Sequence, residues 1–158
     1  MKILLFLLIS LLFASPAFSQ DAASLFNSAP DAAVGLGKSS RESAIITRGA
    51  THLVFRLSEA RRGEIKIVAQ NSRESIVGVT VSDCDESDLK FFSVAKGKWT
   101  DKTSKIIRPL GEKDVVAILS ASPVTIEKPN QSTSVALFYE FDEASSILRL
   151  FARKQESC

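Results

Sequence analysis

Apolar residues recur at every second position along much of the chain after Ala44, which is the spacing of half-buried β-strands. In Thr51–Leu57, for example, Leu53, Phe55 and Leu57 fall on one face of a strand. Alternating or continuous apolar runs predict further strands at Glu64–Ala69, Ser75–Ser82, Leu89–Ala95, Lys105–Leu110, Val115–Ser120, Pro123–Glu127, Val135–Phe141 and Ile147–Arg153.

About eight short strands at hairpin spacing predict an all-β fold. We expect an antiparallel β-sandwich that is immunoglobulin-like in the loose architectural sense, and the alternative is an eight-stranded up-and-down β-barrel. The cysteine–tryptophan–cysteine spacing of true immunoglobulin domains is absent, because Trp99 follows Cys84 and the other cysteine is the last residue, Cys158.

Residues 1–19 have the order of a secretory signal peptide. One cation, Lys2, precedes the unbroken apolar segment Ile3–Phe13, and small residues follow. A membrane-spanning helix is the alternative, but it needs about 20 apolar residues and this run breaks at Ser15-Pro16. We expect cleavage after Ser19, or alternatively after Ala17, and export to the periplasm or the cell exterior.

From Asp21 to Gly37 the residues are mostly small and weakly patterned, and residues 38–43 have the composition of a loop. We expect an N-terminal arm over residues 20–43 with a short helix at Asp21–Asn27, which Pro30 limits. A single β domain then covers residues 44–158. Cleavage after Ser19 leaves 158 − 19 = 139 residues, a normal size for one domain.

Charge narrows the class of partner. The formal net charge of the chain is +2, and it falls to +1 when Lys2 leaves with the signal peptide. A nearly neutral exported protein has no global field that would collect nucleic acid, so nucleic acid is not an expected partner. Electrostatic recognition has to come from a local cluster of charges.

The chain contains two cysteines, Cys84 and Cys158. Export leads to an oxidising compartment, so we expect a disulfide bond between them. Closing the loop of 158 − 84 = 74 residues is worth about 4 kcal/mol when only chain entropy is considered. A reactive thiol is disfavoured, because the acidic residues around Cys84 oppose thiolate formation.

Those acidic residues are also a calcium candidate, although a weak one. The carboxylates are Asp83, Asp85, Glu86 and Asp88. The turn lacks the glycine and the closing glutamate of an EF-hand loop. We therefore favour a solvated turn whose charges keep the strand ends soluble, and we predict no cofactor.

A cluster of cations surrounds the only tryptophan, Trp99, with Asp101 as the one opposing charge. The cations are Lys96, Lys98, Lys102, Lys105 and Arg108. An indole ring among cations suits an anionic glycan or a lipid headgroup. The alternative is that Trp99 packs in the core while the cations form ordinary surface.

The single histidine, His52, bounds the catalytic options. Any serine triad must use it, and a multi-histidine zinc site is excluded. The chain contains no G-x-S-x-G or other nucleophile signature. We interpret His52 as a surface residue on the strand face shared with Arg56 and predict no catalytic residue, with a hydrolase as the remaining enzymatic alternative.

The last two predicted strands are apolar on both faces. A sandwich buries one face of each sheet, so the second face needs a cover. Three covers remain open: the N-terminal arm through Leu25 and Phe26, a second copy of the chain, or a protein partner. The candidate interface residues are Phe138, Ile147 and Phe151.

Together these patterns predict an exported, non-enzymatic binding domain. The preferred partner is a protein at a periplasmic or extracellular surface, or a second copy of the chain. It would be recognised through an exposed strand edge or through the hairpin Val135–Arg153. The alternative is a binder of an anionic glycan or a lipid headgroup centred on Trp99.

Overall fold

The structure is a computed structural model that describes residues 20–107, 110, 111, 113, 114, 117, 135–144 and 148–154. Its main element is a six-stranded antiparallel sheet in which each strand pairs with its neighbours in the chain. The strands are β1 (Ile45–Arg48), β2 (His52–Arg56), β3 (Arg62–Gln70), β4 (Ser75–Ser82), β5 (Ser87–Ala95) and β6 (Lys98–Asp101). A separate antiparallel hairpin contains β7 (Val135–Phe141) and β8 (Leu148–Lys154).

Short helices precede and follow the six-stranded sheet. They are α1 (Ala22–Ser28), α2 (Asp31–Val34), α3 (Arg41–Ala44) and α4 (Thr103–Ile106), with a 3-10 turn at Lys38–Ser40. Within the ranges given above, no helix has the length and apolar content that crossing a bilayer requires.

The helix α1 begins where the Asp21 side chain accepts a hydrogen bond from the Ser24 backbone N–H at 2.7 Å. This arrangement satisfies a backbone donor that has no partner inside the helix. The helix ends before Pro30, because a proline disfavours the helical conformation of the residue that precedes it. The structure thus places the helix expected at Asp21–Asn27 one residue later.

One face of the sheet packs against the N-terminal helices, and we call it the helix face. Its buried apolar residues are Leu53, Phe55, Ile65, Ile67, Val77, Val79, Phe92 and Val94. They form one cluster with residues of α1 and α2, in which the ring centroids of Phe26 and Phe55 are 4.6 Å apart. Residues 22–34 therefore belong to the core, which begins earlier than the expected start of the β domain near Ala44.

The opposite face, which we call the hairpin face, lies against β7. The ring of Phe141 lies over Gly78, where a Cβ atom would be 2.2 Å from the phenyl Cζ. It also meets Phe91 edge-on, with the ring centroids 6.3 Å apart. Phe138 and Phe141 are each only 3% exposed. The hairpin therefore covers the centre of the sheet.

The expectation of a strand-rich antiparallel fold is confirmed, but a sandwich of two comparable sheets is not. Helices cover one face of the six-stranded sheet and a two-stranded hairpin covers the other. The buried apolar residues of α1 and α2, which include Leu25 and Phe26, supply the first cover. The described sheet is open, with β1 and β6 at its two ends, whereas the barrel alternative requires the first and last strands to pair.

Most strand predictions agree with the structure to within two residues, and Ser75–Ser82 and Val135–Phe141 have the predicted bounds. The strand predicted at Lys105–Leu110 is wrong, because the chain turns into α4 where the Asp101 carboxylate accepts the Thr103 N–H at 2.8 Å. The strands predicted at 115–120 and 123–127 lie outside the described residues, apart from Ala117. The predicted signal peptide, residues 1–19, also lies outside them.

Candidate functional site

Charged and polar side chains are buried on the hairpin face of the sheet. His52, Glu64 and Lys66 are 7%, 7% and 2% exposed. His52 lies opposite Lys66 in the β2–β3 ladder, and Glu64 shares the face of Lys66 because it is two residues away on β3. Burial of charged groups is costly unless they are paired and hydrogen-bonded, so this layer is the candidate functional site.

Glu64 links the sheet to the hairpin. Its Oε2 atom accepts the backbone N–H of Phe141 at 3.1 Å. Two residues earlier on β7, the Tyr139 N–H donates to the hydroxyl of Ser87, also at 3.1 Å. Because both N–H groups donate to the sheet, they point away from β8. Side chains of β3 and β5 therefore satisfy donors on the outer edge of β7.

Lys66 holds the end of the same hairpin. Its ammonium group donates a hydrogen bond to the backbone carbonyl oxygen of Glu143 at 2.7 Å. Glu143 follows β7 in the connection that leads to β8. A charge-assisted hydrogen bond of this kind is about twice as strong as a neutral one, so the buried ammonium fixes this end of the hairpin.

His52 lacks the hydrogen bonds that its neighbours have. In the part of the chain that the structure describes, neither ring nitrogen has a hydrogen-bond partner, and both are shielded from solvent. The distance from Nε2 to Glu64 Oε2 is 3.7 Å, which is too long for a hydrogen bond. A buried polar group without a partner costs about 1–3 kcal/mol.

The surface position expected for His52 is therefore wrong. Alternation along β2 correctly places His52 away from the helix face, but the second cover over the sheet turns this face into an interior one. No signal near His52 in the sequence indicates that cover. The only related signal lies far away, in the two-sided apolar pattern of Val135–Arg153.

A cleft of about 360 Å³ borders this polar layer, between β1–β3 and the end of the hairpin. Its charged lining residues are Arg62, Glu64, Glu140, Asp142 and Glu143, with His52 on the same wall. Four carboxylates therefore face the guanidinium of Arg62, and the buried ammonium of Lys66 lies in the adjoining polar layer, which leaves a net excess of negative charge. A cleft lined by an excess of one charge sign concentrates ions of the opposite sign, so this cleft favours cations.

The acidic turn between β4 and β5 uses its first carboxylate internally. Asp83 Oδ1 accepts the backbone N–H groups of Asp85 and Glu86, both at 2.9 Å. These hydrogen bonds lower the pKa of Asp83, because they favour its ionised form. In the described ranges there is no group of three or more histidine, cysteine or acidic side chains arranged to hold a metal ion. The four carboxylates of the calcium candidate, which include Asp88, are not brought together as such a group.

The structure separates Trp99 from its neighbouring cation on β6. The indole ring meets Phe92 edge-on, with the centroids 5.4 Å apart, and packs against the core on the helix face. Lys98 precedes Trp99 on β6, so its side chain points to the other face of the sheet. Lys96, Lys98 and Lys105 are exposed and Lys102 is half-buried. Arg108 lies outside the described residues.

Of the three candidate interface residues, the structure describes the side chain of Phe138 alone. Phe138 is buried inside the fold, so it is not available to a partner in this conformation. Ile147 and the side chain of Phe151 lie outside the described part of the structure. Leu25 and Phe26 do not cover the hairpin, because they pack in the core on the helix face.

The structure describes one of the two cysteines. Cys84 is half-buried in the turn between β4 and β5 and is not a free thiol. Cys158 lies outside the described residues. The disulfide bond between them therefore stays a prediction.

Comparisons of the chain with protein families, with curated proteins and with solved structures find no match.

Proposed function

We propose that the chain is an exported, non-enzymatic binding domain that recognises a protein segment by strand addition along β8. The signal-peptide pattern of residues 1–19 supports export. We prefer binding to catalysis because the sequence contains no nucleophile signature. The availability of strand edges supports the choice of β8.

The six-stranded sheet offers poor edges for an added strand. Its two edge strands, β1 and β6, have only four residues each. The pairing of β1 is also shifted by a bulge between Ile45 and Thr47. Short and bulged edge strands are devices by which proteins prevent edge-to-edge association.

The hairpin offers a longer and more regular edge. β8 has seven residues, contains no proline or glycine, and pairs with β7 from Leu148 to Lys154 without a register shift. The outer edge of β7 already donates to Ser87 and Glu64. In the described part of the structure β8 pairs with β7 alone, and this single observation carries the proposal.

The register shows which backbone groups of β8 face outward. Tyr139 and Phe141 direct their N–H groups away from β8, so their opposite residues, Leu150 and Leu148, belong to non-hydrogen-bonded pairs. The N–H groups of these residues, and by alternation that of Ala152, point to the open side of β8. An added strand would accept hydrogen bonds from them.

The test removes one outward donor. Ala152→Pro deletes the N–H of Ala152 without deleting a β7–β8 hydrogen bond, whereas Ala152→Ser keeps that N–H. Immobilised mature protein is used to capture partners from the native envelope fraction or medium, with quantitative mass spectrometry as the readout. We expect Ala152→Pro to retain about ten-fold less partner than Ala152→Ser, which corresponds to about one lost edge interaction.

A second pair of substitutions, Lys98→Glu with Lys102→Glu, separates this function from anionic-ligand binding. Strand addition predicts capture that survives these changes and depends little on salt. An anionic glycan or lipid headgroup predicts loss of capture and steep weakening with ionic strength. Unchanged capture by a folded Ala152→Pro protein would contradict the proposal, and sedimentation shows whether the captured partner is a second copy of the chain.

A further inference from the structure

We propose that the cleft between β1–β3 and the end of the hairpin binds a primary ammonium or guanidinium group. This site is distinct from the β8 edge and does not depend on strand addition. The chemistry of its walls carries the inference, beginning with four carboxylates that outnumber the two nearby cations, Arg62 in the lining and Lys66 in the adjoining polar layer.

Glu64 is the hydrogen-bond acceptor in the cleft that the fold already holds in place. It is more than nine-tenths buried, and the Phe141 N–H fixes its Oε2 atom. A carboxylate that is already held by a backbone donor needs little reorganisation to accept a cation. Glu140, Asp142 and Glu143 add negative charge around it.

His52 is the second, independent indication of a ligand. Its side chain is also more than nine-tenths buried, it lines the same cleft, and its two nitrogens have no hydrogen-bond partner within the described ranges. A neutral imidazole carries one donor and one acceptor. Unused capacity of this kind in a buried site calls for a partner, and a ligand with several N–H donors supplies one.

The order of contacts follows from accessibility. Because the nitrogens of His52 are shielded from solvent, we expect the ligand to meet the carboxylates that line the cleft first. The imidazole then turns its acceptor nitrogen toward the new donor. The fold already holds one ammonium at this end of the hairpin, where Lys66 donates to the Glu143 carbonyl. A volume of about 360 Å³ is near the lower end for ligand sites and suits one side chain or a small amine.

The experiment uses His52 as its reporter. It is the only histidine of the chain, so its ring signals in an NMR spectrum are unambiguous. Methylguanidinium and butylammonium are titrated into the mature protein, with tetramethylammonium as a control that has the same charge but no N–H donor. We expect saturable shifts of the His52 ring with the first two ions and none with the third.

The source of the cation is resolved by a peptide pair. A blocked tripeptide with a central arginine is compared with the same peptide carrying citrulline, which lacks the charge. Binding of the arginine peptide about ten-fold more tightly than methylguanidinium assigns the site to a side chain of a protein. Weaker or equal binding assigns it to a small free amine or guanidine.

Two variants and a matched control locate the site. Glu64→Gln removes the buried charge, Glu140→Gln removes a rim charge without touching the Phe141 hydrogen bond, and Glu59→Gln makes the same change at an exposed position away from the cleft. We expect methylguanidinium to bind about ten-fold more weakly to Glu64→Gln, about three-fold more weakly to Glu140→Gln, and normally to Glu59→Gln.

The proposal is overturned if the shifts do not saturate, if tetramethylammonium reproduces them, or if Glu64→Gln and Glu140→Gln bind as the control does. The Ala152→Pro protein should keep the site, because the change is confined to the outer edge of β8. Failure of strand addition and failure of cation binding are therefore separate results.

Discussion

Two glycines of the sheet lie directly beneath aromatic rings. A Cβ atom at Gly78 would be 2.2 Å from the Cζ atom of Phe141, and one at Gly63 would be 2.3 Å from the Cζ atom of Phe55. Gly63 faces the helix side of the sheet and Gly78 faces the hairpin. Glycine in a strand often marks such a close approach. On each face of the sheet an aromatic ring occupies the space that a side chain at the glycine position would fill.

The substitution Gly78→Ala tests the approach on the hairpin side. The added methyl group overlaps the buried ring of Phe141, so we expect the free energy of unfolding to fall by about 1–3 kcal/mol, measured by urea denaturation. Gly37→Ala is the control, because a Cβ atom there has no neighbour within 4 Å. A similar loss in both proteins would show that Phe141 does not lie over Gly78.

Residue burial was predictable on one face of the sheet and not on the other. Leu53, Phe55 and Ile65 are buried as their alternation predicts, since a period of two is a local property of a strand. The burial of Glu64 depends on Phe141, which is 77 residues away in the chain. A local sequence pattern carries no information about a contact of that separation. The burial of the polar layer could therefore not be predicted from the sequence.

Among the elements, α1 depends on a side chain from outside it. Arg41 is 1% exposed and donates hydrogen bonds to the carbonyl oxygens of Phe26 at 2.8 Å and Asn27 at 2.9 Å. It also pairs with Asp31 at 2.6 Å. The last carbonyl groups of a helix have no partner inside it, so this guanidinium completes the end of α1.

Arg41→Met should therefore lower the free energy of unfolding by about 3 kcal/mol, because it removes the charge-assisted hydrogen bonds of a buried guanidinium to three backbone carbonyl groups and to Asp31. Arg48→Met is the matched control, since Arg48 is exposed and its ion pair with Glu42 lies on the surface; we expect a change below about 1 kcal/mol there. Thermal or urea unfolding of the two proteins compares them directly. Equal losses would mean that Arg41 does not support α1.

Element prediction failed where elements are short. β1 and β6 have four residues each, too few for alternation to separate a strand from a loop. The segment near Lys105 contains an apolar run, but the local hydrogen bond from the Thr103 N–H to Asp101 starts a helical turn before that run. Side-chain bonds of this kind compete with strand formation, and hydrophobic periodicity does not record them.

At the scale of the whole molecule, the predicted bond between Cys84 and Cys158 would tie the chain end to the β4–β5 turn. We expect non-reducing peptide mapping of the mature protein to recover the two cysteines in one cross-linked peptide. Replacing both cysteines with serine should lower the free energy of unfolding by about 4 kcal/mol when only chain entropy is considered. Recovery of two separate thiol peptides from protein purified without reductant would contradict the bond.

The neighbour-to-neighbour order of β1–β6 also sets a sequence of events during folding. Connections of two to five residues join these strands, so each pairing closes a small loop at little entropic cost, and such local topologies form quickly. In the proposed export the chain would emerge amino-terminus first, and residues 45–101 would clear the membrane well before β7. Until then Lys66 and His52 are in water, so their dehydration is a late step that accompanies the arrival of the hairpin.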